Sequence, residues 1–518
     1  MRRKALAAVA VACALTLSLV GCSSDSGDGG ASTASGEIDR DATLRVGIDS
    51  VPMTFDPIQN PGNQGNYTLP ELYDQLVQLD ENFQPEAMLA TKWEYNADGT
   101  ELTMTLRDDA VFNTDGAPVN ADAVKASMER AKTDKASLVA PLLANLTSVT
   151  AVDDTTVKFS FAGPAFSFVS DLANDPRLSS VVDPAHMDNL ATDPAGSGPY
   201  TLGDATQSKV VFNRVADHWD ETSGLAKTIE LSGIPDQNSR FNAVKAGQLD
   251  VTYINTGQFD DAKQLTDSGK FQSFYEPQVQ TFGLRVNGTP GSPMSDPAVR
   301  EAISVGIDRT QFCSTAFPDM STPTRQLVAP VDPAFDKSLD DEASLAAQTD
   351  KTTSLLADAG ESDLDLTFLS FATMVTIAEV PQQQLADAGV TVKIEQQATY
   401  PAVIGAWLTG KYDVSTFAFA VGDASSIVRQ NIETDPISGG VPDYAKAAYD
   451  KANTTPPGAE RDAAFKELNK VLTEQPVNIP LCNVGLGLIG SSQVTGLENV
   501  RYLGYAPPFE TRRLGLTK

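Results

Sequence analysis

The sequence predicts an α/β fold built on mixed sheets. Three observations carry this. Between residues 44 and 482, short segments with period-two apolar alternation take turns with segments of helical period. Asp98-Gly99 and Asp153-Asp154 each separate two alternating runs, which predicts antiparallel hairpins within an otherwise strand–helix–strand order. About 480 residues follow the first 36, enough for two or three domains, and no fixed-period repeat divides them.

The first strand is read at residues 44–48, where Leu44, Val46 and Ile48 alternate with polar neighbours. Pro52 and Pro57 hold the next stretch extended. Residues 66–80, NYTLPELYDQLVQLD, read as a helix with Leu69, Leu72, Tyr73, Leu76 and Val77 on one face. The Asp98-Gly99 hairpin follows, and Asn120 then caps an amphipathic helix through NADAVKASMERAKT. The second hairpin spans LTSVTAVDDTTVKFSF, and KVVFNRV and KTIELSGI are strands. DQNSRFNAVKAGQLDVTYI reads as a helix stopped at Gly247, then a strand. QTFGLRVNG is a strand, and DPAVREAISVGIDRTQFC is one helix opening at Asp296-Pro297. Helices and strands then alternate through DKTTSLLADAG, LDLTFLSF, IAEVPQQQLADAG, VTVKIEQQ and YPAVIGAWLTGKYDVSTFAFA, with Gly360 just past the first of these helices. ERDAAFKELNKVLTEQ is a long helix, and VNIPLC returns as a strand.

The opening segment sets the compartment. Arg2, Arg3 and Lys4 precede an apolar run from Ala5 to Val20, too short and too rich in Ala for a spanning helix. This is the pattern of a secretory signal peptide. Leu19-Val20-Gly21-Cys22 stands where an A-x-A site belongs and resembles the bacterial lipobox, in which the Cys is acylated and becomes the first mature residue. The plainer alternative is a signal peptide that happens to contain a cysteine. Residues 1–21 are read as the signal peptide and 22–36 as a flexible Ser/Gly/Asp tether. Cys22 is then the lipidation site, holding the protein on the outer face of the cell membrane.

The formal net charge of −30 disfavours nucleic acid and anionic lipid as partners. A hydrophobic content of 41 % with 20 % charged residues argues against disorder. Cys13 lies in the signal, so Cys313 and Cys482 are left in an oxidising compartment, either as a disulfide or as two buried thiols. The only histidines, His186 and His218, are too far apart for a local metal motif, and no C-x-x-C occurs. Neither a G-x-S-x-G, a P-loop nor a nucleophile beside a His is present. No cofactor and no catalysis are expected, a secreted hydrolase working through paired carboxylates being the enzyme alternative.

The order of segments resembles the bacterial extracellular solute-binding proteins of family 5, the peptide- and nickel-type receptors of ABC importers. The matching pieces are LRVGIDSVPMTFDP, the run from ELYDQLVQLDENFQPEAMLATKWEYNADGTELTMTLRDDAVF to NADAVKASMERA, GSGPYTL, AVKAGQLDV, SDPAVREAISVGIDR, LLADAG, QQLADAGVTVKIEQQ, GKYDV and IPL. They run in order over nearly the whole mature chain. The resemblance implies a two-lobed periplasmic-binding-protein-like fold with a hinge and an inserted subdomain. Lobe I would comprise 37–68, 196–282 and 483–518, the inserted subdomain 69–195 and lobe II 283–482, with hinge crossings near 282–286 and 481–484.

The resemblance also implies a ligand set. Met53, Thr54 and Phe55 would border the cleft, the alternative being that Pro52 and Pro57 merely shape a turn and Phe55 packs in a core. In the family's peptide receptors a strand ends in an Asp that pairs with the ligand's α-ammonium. Asp423 matches, although it stands one residue further from Asp413 than the pattern and lacks the aromatic and Tyr-x-x-Pro that follow. The alternative is a turn residue beside Gly422. Phe419 and Gly422 accompany it. The Arg that holds the ligand carboxylate in dipeptide receptors is absent from LSFATMVTI, where Phe371, Thr373 and Met374 suggest an apolar, adaptable wall. Phe282 and Asn483, on the two hinge strands, complete the set, and Cys482-Asn483-Val484 replaces the aromatics common after IPL. These departures point away from a plain dipeptide. His218, in ADHWD, matches a surface motif and is read as structural.

The expectation is a monomeric, lipid-anchored receptor that captures a small solute, foremost an oligo- or dipeptide, and delivers it to an ABC permease and its ATPase. The alternatives on the same scaffold are a metal chelate, haem or another small molecule as ligand, or a sensor or adhesin role.

Overall fold

The computed structural model of the chain describes residues 36–61, 65–254, 256–318, 321–398, 400–419, 424–500 and 509–518. The signal peptide, Cys22 and the tether up to residue 35 lie outside the described residues, as do Gly422 and Asp423.

One eleven-stranded mixed sheet organises the molecule. Its order runs Thr391–Gln397, Asp365–Phe371, Val414–Phe419, Phe271–Val286, Ile479–Ser491, Val251–Ile254, Thr43–Ile48, Thr228–Gly233, Lys209–Arg214 and Tyr200–Ala205, with Ser321–Pro323 added beside Ile479–Ser491. Thr43–Ile48 is parallel to both its neighbours, and so is Asp365–Phe371. Among the described residues the two halves of the sheet share only the two long central strands, of 16 and 13 residues, which pair antiparallel. Their register breaks midway: Glu276 pairs with Leu486, but the next pair is Gln280 with Val484. Two extra residues on one strand bend it locally. Pro277, which has no N–H to give a ladder, lies within the break.

Each half buries its own core. Leu44, Val46, Ile48, Phe212 and Ile229 join the first core, which continues into a four-stranded antiparallel sheet of Ala90–Tyr95, Glu101–Leu106, Thr156–Phe161 and Leu146–Ala151. In the other half Leu284, Val299, Ile303, Phe312, Phe368 and Leu481 pack together. On a third core the helices Asp443–Thr454 and Ala459–Glu474 cover Phe419, Ile427 and Leu468. Cys313 and Cys482 form a disulfide with a Cα–Cα distance of 5.7 Å across 169 residues of sequence.

Most predicted elements appear where the pattern puts them. Asn120 caps Ala121–Thr133, its side chain accepting from the Ala123 N–H at 3.0 Å. The Asp98-Gly99 hairpin turns through Gly99 at φ +69°, a conformation that favours glycine.

Two expectations are corrected. The helix over 66–80 shrinks to Leu69–Leu72, after which the chain is extended and Val77–Leu79 pairs with Pro85–Ala87. Every residue from 69 to 79 is buried, so no wet face exists for an amphipathic helix to present. The backbone finds tertiary partners instead, with the Leu76 N–H on the Ser179 carbonyl at 3.0 Å and the Ala90 N–H on the Leu76 carbonyl at 2.8 Å. Gly198 presses against this segment so closely that a Cβ would lie 2.5 Å from the Glu71 carbonyl oxygen.

The single helix over 296–313 is two, Pro297–Val305 and Arg309–Ala316. At the break a Cβ on Gly306 would meet Leu385 at 2.8 Å, and the Asp308 carboxylate caps the second helix through the Gln311 N–H at 2.8 Å. The buried Arg309 guanidinium satisfies loose carbonyls there, donating to Thr324 and Pro480 at 3.0 Å each. That burial draws its pKa down to about 9.

Candidate functional site

Among the described residues the two long strands alone join the sheet halves, and four side chains lie beside their register break. Thr281 Oγ1 donates to Asn483 Oδ1 at 2.7 Å. Asn483 is 1 % exposed, and its Nδ2 has no acceptor among the described residues. A buried unsatisfied donor costs about 1–3 kcal/mol, so a bound acceptor is favoured there. Glu276 is half-buried without a cation partner among the described residues, and burial pushes its carboxyl pKa up. Tyr275 stacks on Phe259 at 5.2 Å and lies over Gly485, where a Cβ would come within 2.2 Å of its phenol oxygen.

The loop after Thr43–Ile48 walls the first half. Asp49 is half-buried; burial raises its carboxyl pKa, and the nearby Arg240 charge only partly offsets this. The Arg240 guanidinium lies 4.4 Å over the Tyr253 ring and donates to the Ile234 and Pro235 carbonyls at 2.5 and 3.0 Å. Asp56 pins the loop through a two-point ion pair with Arg130, at 2.9 and 2.5 Å. Between these anchors Met53 is 99 % exposed. Thr54 is half-buried, its Oγ1 accepting from the Asp56 N–H at 3.2 Å. Phe55 is buried in the first core, its carbonyl accepting from the Tyr73 hydroxyl at 3.1 Å.

In the second half Phe282 is a core side chain whose ring faces Phe317 at 4.7 Å. Phe371 and Phe419 end two neighbouring parallel strands, and ligands of open α/β sheets gather outside such carboxyl ends. Phe371 is half-buried against Leu369, Val403 and Trp407, Phe419 is fully buried, and Met374 is exposed. Nearby, the Arg285 guanidinium stacks 3.6 Å over Phe417 and pairs with Asp435 at 3.4 Å. The paired long strands carry Phe282 opposite Cys482 and Asn483 opposite Thr281, so the Phe282 and Asn483 side chains face opposite sides of the sheet, and Phe371 and Phe419 end neighbouring strands but pack in different cores. Met53, Thr54 and Phe55 form a separate group on the opposite half, and Gly422 and Asp423 fall outside the described residues.

Sequence reasoning missed the contacts that join region 69–195 to the helices after Val414–Phe419. Buried Asp171, in helix Phe168–Asn174, accepts from Ser426 Oγ at 2.8 Å and forms an ion pair with Arg429. Burial holds the Arg429 pKa below its usual value. Arg461 Nη2 donates to Ser167 Oγ at 2.7 Å. Asp171 and Ser426 are 255 residues apart, and no local pattern announces such a pair. Glu276 was also missed, although Glu276-Pro277 inside an apolar strand pattern is a signal for a break.

Among the described residues one group of three close metal-ligating side chains occurs, Asp115, Asp183 and His186. Asp183 is already engaged, accepting from Thr114 Oγ1 and the Ala185 N–H and lying 2.6 Å from His186 Nδ1. His218 is buried with its Nε2 3.2 Å from Asp74 Oδ2, beside Trp219 Nε1 at 2.8 Å from the same oxygen.

The model of the middle region of the bacterial extracellular solute-binding proteins, family 5, matches residues 84–428. The chain belongs to this family. It is 27 % identical over 365 residues to the glutathione-binding protein GsiB of Salmonella typhimurium, covering 68 % of this chain and 69 % of the relative. GsiB of Escherichia coli K12 is 26 % identical over 366 residues, covering 68 % and 69 %. Helicobacter pylori DppA in complex with the peptide STSA superposes with a TM-score of 0.78 at 19 % identity, over 92 % of this chain and 98 % of that one. Campylobacter jejuni NikZ in complex with Ni(L-His) gives 0.74 at 19 %, over 89 % and 96 %. The fold is the two-lobed α/β fold of periplasmic binding proteins. This family 5 member is an extracytoplasmic solute-binding protein of ABC import. No helix among the described residues is long and apolar enough to cross a membrane.

Proposed function

We propose that the protein is a lipid-anchored receptor that closes two lobes on a small peptide-like solute and hands it to an ABC permease and its ATPase. The lobes are 37–68, 196–282 and 483–518 on one side and 283–482 on the other, with 69–195 as the inserted subdomain. One observation carries the reading: among the described residues the sheet halves share only two long strands, and these break register beside Asn483, whose Nδ2 has no acceptor there. A joint of that kind permits hinge motion, and a ligand carbonyl or carboxylate satisfies the amide.

A peptide-like solute needs a carboxylate for its ammonium. Asp423 takes that role on the family resemblance, with Glu276 as the second candidate from the strand break. Met53, Thr54, Phe371 and Met374 supply adaptable wall, consistent with a site that lacks an Arg clamp in LSFATMVTI. The glutathione named for the curated relatives and the peptide in the DppA complex support the same class. Capture by closure makes and breaks no bond and so calls for neither cofactor nor turnover; on this reading the receptor is a monomer tethered through Cys22.

Native mass spectrometry of the purified protein, followed by thermal shifts with glutathione, di- and tripeptides, Ni(L-His) and haem, tests the reading. The peptide class is expected to raise Tm and the others to leave it unchanged, because binding stabilises the folded state. A ligand-free mass with no shift from any class would contradict a receptor. A shift from Ni(L-His) or haem alone would move the assignment to that chelate.

A further inference from the structure

A cavity of about 330 Å³ lies between region 69–195 and region 283–482. Trp93, Tyr95 and Phe166 line it from the first region, and Asp332, Arg461 and Asp462 from the second. Ala424, the residue after Asp423, belongs to the same lining. A neighbouring cavity of about 380 Å³ shares Trp93, Tyr95, Phe166 and Pro457. On the receptor reading this space is the stretch of the cleft next to the carboxylate that takes the ligand's ammonium, so its lining decides which side chain the solute carries there.

The charges on that lining do not balance. Two carboxylates stand against one guanidinium. The guanidinium of Arg461 is already engaged: it lies 4.8 Å over the Phe465 ring, and its Nη2 donates to Ser167 Oγ at 2.7 Å. The guanidinium of Arg429 is offset by its ion pair with Asp171. Asp332 is buried, its Oδ1 accepting from the Ala334 N–H at 2.6 Å, and an amide donor leaves the carboxylate charge in place. Asp462 is exposed in the first turn of the helix Ala459–Glu474. The aromatic wall acts in the same direction, because the face of an aromatic ring attracts a cation. A Lys or Arg side chain suits both features, since its methylene stem covers apolar surface while its charged head stays at a polar edge.

We propose that the cleft selects peptide-like solutes with a basic side chain, its stem against Trp93, Tyr95 and Phe166 and its charge beside Asp332 and Asp462. The proposal rests on the receptor reading above and adds the class of solute that the receptor prefers. Glutathione, the solute named for the curated relatives, carries a net negative charge and is then a poor ligand for this chain.

Calorimetric titration of the purified protein with matched tripeptides tests this. The series are X-Ala-Ala, Ala-X-Ala and Ala-Ala-X, with X as Lys, its uncharged counterpart norleucine, or Glu. In at least one series the Lys peptide should bind about tenfold tighter than the norleucine peptide, with the Glu peptide weakest. Added salt should shrink that preference, because part of it is a partly exposed charge interaction. Asp462→Asn and Trp93→Ala should each lower the Lys-to-norleucine ratio by about threefold or more. Equal affinities for Lys, norleucine and Glu in every series, or a ratio that neither variant moves, would overturn the basic-side-chain proposal and leave the receptor reading standing. Binding of no tripeptide at all would overturn both.

Discussion

On the proposed reading Asp423 and Glu276 are the two candidates for the ligand's ammonium, and the environment of Glu276 ranks it second. Burial disfavours the charged form of Glu276, whereas an ammonium needs a charged partner. Asp423→Asn is expected to weaken an amine-bearing ligand by roughly 10- to 100-fold, the value of a charge-assisted hydrogen bond. Glu276→Gln should cost less than about threefold, measured by calorimetry on the same ligand; the reverse ranking would transfer the ammonium to Glu276. Glu71 offers a test of the fold at this scale. Its Oε1 accepts from the Thr511 N–H and hydroxyl at 2.8 Å each, but Oε2 is buried without a partner among the described residues. Burial, with Glu510 adding to it, raises its pKa from 4.5 to about 7. The folded protein thus holds a proton that the unfolded chain releases, and stability falls as pH rises from about 4.5 to about 7, by about 3 kcal/mol in all. Glu71→Gln removes that loss, so the variant should match the parent near pH 4 and exceed it at pH 8 in denaturant unfolding. Neither the burial of Glu71 nor the unpaired amide of Asn483 was legible in the sequence, because each depends on segments hundreds of residues away. Asn120 was legible, since a cap acts within three residues.

At the scale of elements, periodicity located most strands of the large sheet, gave no reading for the helices Phe168–Asn174, Phe259–Asp267 and Asp443–Thr454, and failed where tertiary packing overrode it. The 66–80 segment has a helical stripe, yet it is buried all round and its backbone pairs with distant strands. The break at 306–308 answers to Leu385 and Thr352, which no local pattern reveals. The disulfide joins the helix Arg309–Ala316 to the central strand Ile479–Ser491, closing a long loop. Cys313→Ser with Cys482→Ser should lower unfolding stability by about 2–5 kcal/mol, read from unfolding curves with and without reductant. The ion pair between Asp171 and Arg429 crosses from the helix Phe168–Asn174 to the far half of the chain. Asp171→Asn takes the paired charge from the half-buried Arg429 guanidinium and leaves Glu433 as its nearby opposite charge, so the cost should stay below the about 3–5 kcal/mol of a fully buried broken pair. Small-angle scattering of that variant should show a larger radius of gyration, and its ligand affinity should drop at least tenfold. Unchanged values on both counts would remove the pair from closure.

For the whole molecule, the fold class followed from alternation of strand and helix patterns, but the division into two lobes came only from the family resemblance. Periodicity cannot show that, among the described residues, two long strands alone join the sheet halves. The proposed tether at Cys22 belongs to this scale as well. A receptor at the outer face of a membrane is useful only near its permease, so Cys22→Ala should release the protein into the medium while leaving ligand affinity intact, as fractionation and calorimetry would show. The central claim is capture without chemistry. Calorimetric titration with glutathione and a panel of di- and tripeptides, followed by mass analysis of the recovered ligand, tests it most directly. Saturable binding by at least one of these, with the ligand recovered intact, is predicted. No heat from any of them, or recovery of cleaved ligand, would contradict it.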